Sequence, residues 1–192
     1  MPNFDVVTEA VIDAEVSRVF GAFLDTSSYS KWKMPHMEEK LRGDKKVLQK
    51  GFVLDFKIHR FGTPTFTGRI TDIITNQKIK MDFFEGDFIG AGEYTFEPVN
   101  GKTKIRFRWT AKSNKFLITL FSPFINVPKL QSGVMQLCFE GLNNYLSKPS
   151  SKNQLQRPKN KALITKKNAF PLGNTKCANS TSSSTEKPSS KT

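Results

Sequence analysis

Residues 93–112 read EYTFEPVNGKTKIRFRWTAK, and this stretch decides the fold. Asn100-Gly101 in its middle is a dipeptide that favours the positive φ angles of a tight hairpin turn. After the turn, apolar side chains from Thr103 to Ala111 alternate with Lys and Arg. Because successive side chains of a strand point to opposite faces, one face should be buried and the other cationic. The stretch therefore predicts an antiparallel hairpin packed on a core.

More strand-length segments precede the hairpin. Residues 52–59, 66–74 and 79–85 alternate apolar with polar side chains and predict three further strands. The glycine-rich stretch at 86–92 lacks the Lys-Ser/Thr pair and the helix start of a phosphate-binding loop. We interpret it as a bulge or bend in a curved sheet.

Helical patterns flank these strands. Residues 4–12 alternate as a first strand, and Asp13 is placed to cap a helix whose apolar stripe runs from Val16 to Leu24. Residues 29–33 suggest one more helical turn, and the polar stretch that follows carries no predicted strand. Apolar residues at helical spacing predict a long helix at about 130–146. This order predicts an α+β domain in which one curved sheet buries one face against the final helix.

Most of the positive charge lies in the last quarter of the chain. The protein carries 30 Lys and Arg against 17 Asp and Glu, a net charge of +13. Residues 1–148 contribute +5 and residues 149–192 contribute +8. We predict a folded domain over 1–148 and a disordered, basic, Ser/Lys-rich tail over 149–192. A solvated tail without a partner is the simpler interpretation, and a basic arm for membrane phosphates or RNA, densest at 159–167, is the alternative.

Several function classes find no support in the sequence. Cys138 and Cys177 have no spacing for zinc or for a disulfide framework, which favours a reducing compartment. Acidic residues near the N-terminus argue against a secretory signal, and the apolar run 116–127 is too short to span a bilayer. We expect a cytoplasmic protein, with peripheral contact to an anionic membrane left open and nucleic acid not favoured as a partner.

Short matches to a known family accompany this element order. They are Ile12-Asp13-Ala14 leading into Val16, Val19 and Phe20; Asp25, Tyr29 and Trp32; Gly90, Gly92, Tyr94 and Phe96; Gly101-Lys102-Thr103; and Gly141-Leu142 with Tyr145-Leu146. With them, residues 3–148 resemble the START-like (SRPBCC) superfamily, which includes the polyketide cyclase/dehydrase and lipid-transport group. The resemblance implies a helix-grip fold. That fold has about seven antiparallel strands, two short helices after strand 1, and a long C-terminal helix that closes a hydrophobic cavity.

Eleven residues are candidates to line such a cavity, although each is more simply a packed core residue. They are Trp32, His36, Phe56, Phe66, Met81, Phe83, Tyr94, Phe107, Trp109, Met135 and Phe139. The two histidines, His36 and His59, lie in different segments, so the sequence predicts neither a metal site nor a catalytic triad, and no cofactor. We expect His59 to be solvated on the outer face, and His36 and Tyr94 to be the polar contacts.

Three functions remain open at this point. The leading one is binding or transfer of a hydrophobic small molecule, such as a lipid, sterol, quinone or polyketide, in an internal cavity. The first alternative is a cyclase/dehydrase-type enzyme that uses the same cavity. The second is an interaction protein whose cationic strand, Lys102 to Arg108, and basic tail dock on a membrane or a ribonucleoprotein. The apolar residues 117–125, flanked by lysines, could dip into a bilayer interface or form a lid over the cavity.

Overall fold

One sheet of seven strands carries the fold. The computed structural model describes residues 3–60, 62–114 and 126–148. The strands are β1 (Asn3–Ile12), β2 (Met37–Leu41), β3 (Val53–Ile58), β4 (Thr65–Ile74), β5 (Lys78–Gly86), β6 (Phe88–Val99) and β7 (Lys102–Ser113). They are hydrogen-bonded in the order β1-β7-β6-β5-β4-β3-β2, and every pair is antiparallel. The sheet curls into a half-barrel, which confirms the predicted seven-stranded helix-grip fold.

The β6–β7 hairpin forms as its sequence predicts. Asn100 and Gly101 have φ angles of 51° and 76°, the left-handed values that a two-residue turn between twisted strands requires. Glu93 pairs with Arg108 and Tyr94 with Phe107 along the ladder. Ile105, Phe107 and Trp109 are buried on the concave face of the sheet, while the basic residues between them face outward.

The glycine-rich stretch turns the corner from β5 into β6. Only Asp87 separates the two strands, and its carboxylate accepts a hydrogen bond from the Thr65 amide at 2.8 Å. Gly86 has a φ of 100°, and a Cβ there would lie 2.4 Å from the Thr65 carbonyl oxygen. The register of β4 on β5 also shifts next to Gly68. These irregularities bend the sheet, so the predicted bend is present and a phosphate-binding loop is not.

Three α-helices and one 3₁₀ turn accompany the sheet in the described parts of the chain. Helix α1 (Val16–Leu24), the 3₁₀ turn Thr26–Ser28 and helix α2 (Tyr29–Trp32) follow β1, and the long helix α3 (Val127–Ser147) follows β7. Pro128 lies in the first turn of α3, and the Asn126 side chain accepts a hydrogen bond from the Lys129 amide, so both residues favour a helix start here.

Helix α3 packs on β1 and on α2. Polar side chains of α3 form hydrogen bonds along β1. They join Ser132 to Thr8, Gln136 to the Glu9 carbonyl oxygen, and Asn143 to the Asp13 amide. Gly141 lets the helix approach α2, because a Cβ at this position would lie 2.2 Å from the Trp32 carbonyl oxygen. The buried face of α3 therefore lies against the concave side of the sheet.

Two local expectations were wrong. Residues 37–41 were assigned to a polar stretch without strands, but they form the edge strand β2. The strand forms because it pairs with β3, and this pairing turns Met37, Glu39 and Leu41 toward the interior. Asp13 does not cap α1. Glu15 is the N-cap and makes no side-chain cap bond, while Asp13 forms an ion pair with Lys102 at 3.2 Å.

Candidate functional site

The concave side of the sheet, together with α2 and α3, holds ten of the eleven predicted lining residues. Ten of the eleven are buried and belong to one hydrophobic cluster; His36 is half-buried. Three of them, Trp32, Met135 and Phe139, come from the helices, and seven come from β3 to β7. The structure therefore brings these ten residues to one interior face and leaves His36 outside the cluster. Whether that face holds a ligand stays a proposal.

Aromatic rings cover this face in two groups. One group joins α1 and α2 to the sheet: the Phe23 ring lies 5.1 Å from Trp32 and 4.9 Å from Tyr94, which stacks on Phe107 at 4.2 Å. The other group spreads over β3 to β7, and its centroids are 5.0–6.0 Å apart. It contains the contacts Phe56–Phe66, Phe66–Phe83, Phe66–Phe88 and Phe88–Trp109.

A buried ion pair lies at the edge of the first aromatic group. Lys33 Nζ contacts Glu39 Oε2, and the two side chains are 2% and 3% exposed. Lys33 follows α2, and Glu39 points inward from β2 opposite Phe56 on β3. Removing two charges from water is costly, and replacing such a pair by apolar residues is often neutral or stabilising. A packing role alone therefore does not account for charges at this position.

Aromatic and helical groups surround the ammonium group of Lys33. Its Nζ lies 3.6 Å from the ring centroid of Tyr29, 4.6 Å from Trp32 and 5.8 Å from Phe23, which are distances for cation–π attraction. From α3, the Cys138 thiol donates to the Lys33 carbonyl oxygen at 3.9 Å. The ion pair is thus enclosed by α2, β2 and α3.

Burial and the charge of Glu39 raise the pKa values of three neighbouring side chains. Burial raises the pKa of Tyr94 well above its usual value, and the Glu39 carboxylate raises it further. The same two causes raise the pKa of Tyr29, whose hydroxyl donates to the Phe23 carbonyl oxygen. Burial raises the pKa of the Cys138 thiol to about 12, against a lowering effect of Lys33. At neutral pH all three groups therefore keep their protons.

Two polar groups on buried side chains of the sheet, Trp109 Nε1 and the Tyr94 hydroxyl, form no hydrogen bond to a described residue. Within residues 3–60, 62–114 and 126–148, no partner is found for Trp109 Nε1, and no hydrogen bond forms to the Tyr94 hydroxyl. Tyr94 is 4% exposed and Trp109 is 2% exposed. Leaving a buried donor unpaired costs about 1–3 kcal/mol. Trp109 and Tyr94 therefore each keep an unused N–H or O–H donor.

The two histidines lie side by side at the β2–β3 edge. The His59 amide donates to the His36 carbonyl oxygen at 3.0 Å. His59 was expected to be solvated, but its Nε2 is buried without a hydrogen bond to any described residue and lies 3.7 Å from Glu38, on the outer side of β2. Glu38 on β2 and His59 after β3 come together only because these two strands pair, so spacing along the sequence does not reveal their contact.

Acidic residues on β1 and just after it form ion pairs with the outer face of β7. All four basic residues of the predicted cationic strand contact an acidic residue. The pairs are Lys102–Asp13 at 3.2 Å, Lys104–Glu9 at 3.1 Å, Arg106–Glu9 at 3.7 Å and Arg108–Asp5 at 2.7 Å. The face is therefore a ladder of ion pairs in which three carboxylates partly balance four cations, which weakens its case as a docking surface for phosphates.

The outer side of the sheet also carries two shallow depressions. One, of about 360 Å³, lies over β2 to β5, and the other, of about 260 Å³, lies over β5 to β7. Charged side chains border both, including Asp55 with Lys57 in the first and Lys80 with Glu93 in the second. These open and mixed-charge surfaces do not enclose an apolar molecule.

Two other kinds of site are missing from the described part of the chain. Among the residues that the structure describes, no three His, Cys, Asp or Glu side chains gather as metal ligands would. No helix in the same part of the chain is long and apolar enough to cross a membrane. The predicted bilayer or lid segment, 117–125, and the basic tail lie outside the described residues.

Sequence reasoning missed the Lys33–Glu39 pair. The alternation of side chains along β2, its parity, could have revealed this pair. Glu39 shares a face with Met37 and Leu41, whereas Glu38 and Lys40 point the other way. That parity is visible only once residues 37–41 are taken as a strand. Lys33 gave no signal, because its burial depends on the position of α2 under α3.

Comparison with known proteins agrees with this architecture. A family model described as polyketide cyclase / dehydrase and lipid transport matches residues 3–146, more than half of the chain. The protein therefore belongs to this family, whose fold binds hydrophobic ligands. No curated protein matches the sequence.

Solved structures show the same fold at low sequence identity. Protein TTHA0849 from Thermus thermophilus aligns with a TM-score of 0.61 at 17% identity, over 76% of this chain and 100% of its own. Protein CV1439 from Chromobacterium violaceum gives 0.55 at 16%, over 76% and 98%. An uncharacterized protein from Rhizobium leguminosarum gives 0.55 at 18%, over 76% and 95%. At these identities the likeness concerns the fold alone.

Proposed function

We propose that this protein binds and carries a hydrophobic small molecule, enclosed between the concave face of its sheet and helix α3. The observation that carries the proposal is the set of ten buried, mainly aromatic residues on that face, with a few buried polar groups among them. Small-molecule sites in proteins are mostly apolar, with a small number of placed polar groups that orient the ligand. Membership of the polyketide cyclase / dehydrase and lipid transport family supports binding of a hydrophobic molecule.

The Phe83 ring fills the space over two glycines of the concave face. The ring lies across the backbone of the two neighbouring strands, since a Cβ at Gly68 or at Gly92 would come within 3.0 Å of it. Those two glycines leave the middle of the concave face without side chains of their own. Phe83, together with Phe56 and Phe107, therefore covers the backbone of β4 and β6 at this point of the concave face.

A blocking substitution tests this function. Met135 lies on the buried face of α3 and Asn144 on its exposed face. Delipidated full-length protein is mixed with lipid, sterol and quinone extracts, re-isolated, and its bound compounds are identified by mass spectrometry. The unchanged protein and Asn144→Trp should retain an apolar compound, and Met135→Trp should retain much less while keeping its circular dichroism spectrum. Retention of nothing above background by the unchanged protein would refute the proposal.

A further inference from the structure

The Lys33–Glu39 ion pair has hydrogen-bonding capacity that the described protein groups do not use. Lys33 Nζ carries three N–H donors, and Glu39 is its one hydrogen-bond partner among the described residues. The other close neighbours of Nζ are the ring faces of Tyr29 and Trp32, which accept no conventional hydrogen bond. Only one of the two Glu39 oxygens contacts Lys33. The pair can therefore bond a further group without first breaking apart.

Tyr94 supplies the third polar contact. It lies on β6 beside Phe23 and Phe107, its hydroxyl has no hydrogen bond to any described residue, and the Glu39 charge acts on it. A phenol both donates and accepts, so it can bond an oxygen that also contacts the ion pair. Tyr94 and Lys33 lie against the same Phe23 ring, whose centroid is 4.9 Å from the Tyr94 ring and 5.8 Å from Lys33 Nζ. Glu39 contacts Lys33, so the three polar groups lie at one end of the aromatic interior.

The sign of the charges selects the ligand. Lys33 and Glu39 cancel, so the cluster as a whole is neutral. A carboxylate placed there would gain Lys33 but would also bring a second negative charge next to Glu39, which is strongly unfavourable away from water. A hydroxyl brings no charge, and it can donate to Glu39 while it accepts from Tyr94 or Lys33.

From this geometry we infer that Lys33, Glu39 and Tyr94 form the polar end of the binding site, and that the ligand is a neutral apolar molecule bearing a hydroxyl group, such as a sterol or a long-chain alcohol. The inference rests on the proposed function, which it narrows from hydrophobic molecules in general to one chemical class. The apolar body of the ligand lies over Phe56, the neighbour of Glu39 in the ladder, and over Phe66 and Phe83 beyond it.

Three probes of equal chain length test the inference on the full-length protein. Dodecane, 1-dodecanol and dodecanoate are delivered from cyclodextrin at pH 8, and binding is followed by displacement of a neutral, environment-sensitive dye. One or two buried hydrogen bonds should make the alcohol bind about tenfold more tightly than the alkane. The carboxylate should bind more weakly than the alcohol. The alcohol-to-alkane ratio is the quantity of interest, since a general loss of packing lowers both affinities.

Substitutions assign that ratio to the cluster. Tyr94→Phe removes only the hydroxyl, and Lys33→Met with Glu39→Leu removes both charges together; each should bring the ratio toward one while the alkane still binds. Tyr145→Phe removes a hydroxyl from α3 outside the cluster and should leave the ratio unchanged. Equal binding of alcohol and alkane by the unchanged protein, preferred binding of the carboxylate, or an unchanged ratio in Tyr94→Phe would each overturn the inference. Failure of all three probes to bind would instead contradict the proposed function itself.

Discussion

A charged side chain inside an aromatic interior is stable only with a partner, and Lys33 depends on Glu39 for this. Both side chains are almost fully buried. Without a partner, the free-energy cost of removing a charge from water would stay largely uncompensated in such surroundings. Exposed pairs such as Lys80–Glu93 contribute little to stability, because water screens them. The energetic consequence of a substitution therefore depends on which partner is left behind.

We expect Glu39→Gln to lower the free energy of unfolding by about 3–5 kcal/mol, because it leaves the Lys33 charge buried alone. Lys33→Met combined with Glu39→Leu should recover most of that loss. Glu93→Gln, at the exposed pair with Lys80, is the matched control and should cost less than about 1 kcal/mol. Urea unfolding measures all three; a Glu39→Gln effect as small as the control would show that the pair is not buried in solution.

Cys138 should be almost inert in the folded protein. Burial raises the pKa of its thiol to about 12, so the reactive thiolate is scarce at pH 8. Alkylation by iodoacetamide in a Cys177→Ser background should be roughly a thousandfold slower in buffer than in denaturant, following the change in thiolate fraction. Rapid alkylation of the folded protein would mean that the α2–α3 contact opens readily.

At the scale of the elements, the contact between α2 and α3 determines how the long helix lies. In the sequence, Gly141 stands out only as part of a short family match, whereas the structure shows the backbone of Trp32 against it. Gly133 belongs to the same helix but has no heavy atom within 4 Å of its Cβ position. The two glycines differ in tertiary surroundings, not in helix propensity.

Gly141→Ala should therefore destabilise the protein by about 1–3 kcal/mol, since the helix must move away from the Trp32 carbonyl oxygen. Gly133→Ala should instead stabilise it by up to about 1 kcal/mol, through the higher helix propensity of alanine. Thermal unfolding of the two variants side by side gives the comparison. Equal effects of the same sign would contradict the close packing of α2 on α3.

The ion-pair ladder between β1 and β7 gives a prediction with a defined pH dependence. The hydrogen bond from Arg108 holds the pKa of Asp5 below its ordinary value of 3.8. The pair therefore contributes stability above that pH, and the contribution is lost as the pH falls through the lowered pKa of the folded state. Asp5→Asn should be less stable than the unchanged protein at pH 6 and equal to it at pH 2.

Asp44→Asn serves as the control for this titration. Asp44 forms no ion pair with any described residue, so its replacement should leave stability unchanged at both pH values. A difference between Asp5→Asn and the unchanged protein that persists at pH 2 would show that Asp5 acts through packing rather than through its charge.

Prediction from sequence succeeded where a long element carries its own pattern. Strand β7 and helix α3 have enough residues for alternation or helical spacing to fix their buried faces, so Phe107 and Trp109 on the strand and Met135 and Phe139 on the helix could be assigned from these patterns. Strand β2 has five residues, and two of its three inward positions are apolar while the third is Glu39. Its strand character and the Lys33–Glu39 pair arise from neighbours in space, which a single sequence does not display.

At the scale of the whole molecule, curvature gives the sheet a concave side that one helix can cover. The corner at Gly86 and the register shifts in β4 bend the sheet, and α3 lies along β1 at its edge. The outer face carries paired charges, whereas the inner face carries aromatic rings. This distribution favours enclosure of an apolar molecule over docking through the convex surface.

Enclosure also predicts how binding responds to salt. Retention of a neutral apolar ligand should be unchanged between about 50 mM and about 500 mM NaCl, because burial of apolar surface does not depend on counterions, whereas phosphate contacts weaken steeply over this range. The measurement is the amount of 1-dodecanol that the full-length protein retains at each salt concentration. A steep fall with salt would favour the basic interaction protein instead.

The central claim is that the protein encloses an apolar ligand between its sheet and α3. The most direct test is native mass spectrometry of the full-length protein purified from its own host, followed by extraction and identification of any small molecule that co-purifies with it. We predict one apolar, hydroxyl-bearing compound per chain, lost from Met135→Trp and retained by Asn144→Trp. A chain that is empty in every preparation, under conditions in which another lipid-binding protein from the same cells keeps its ligand, would contradict the account.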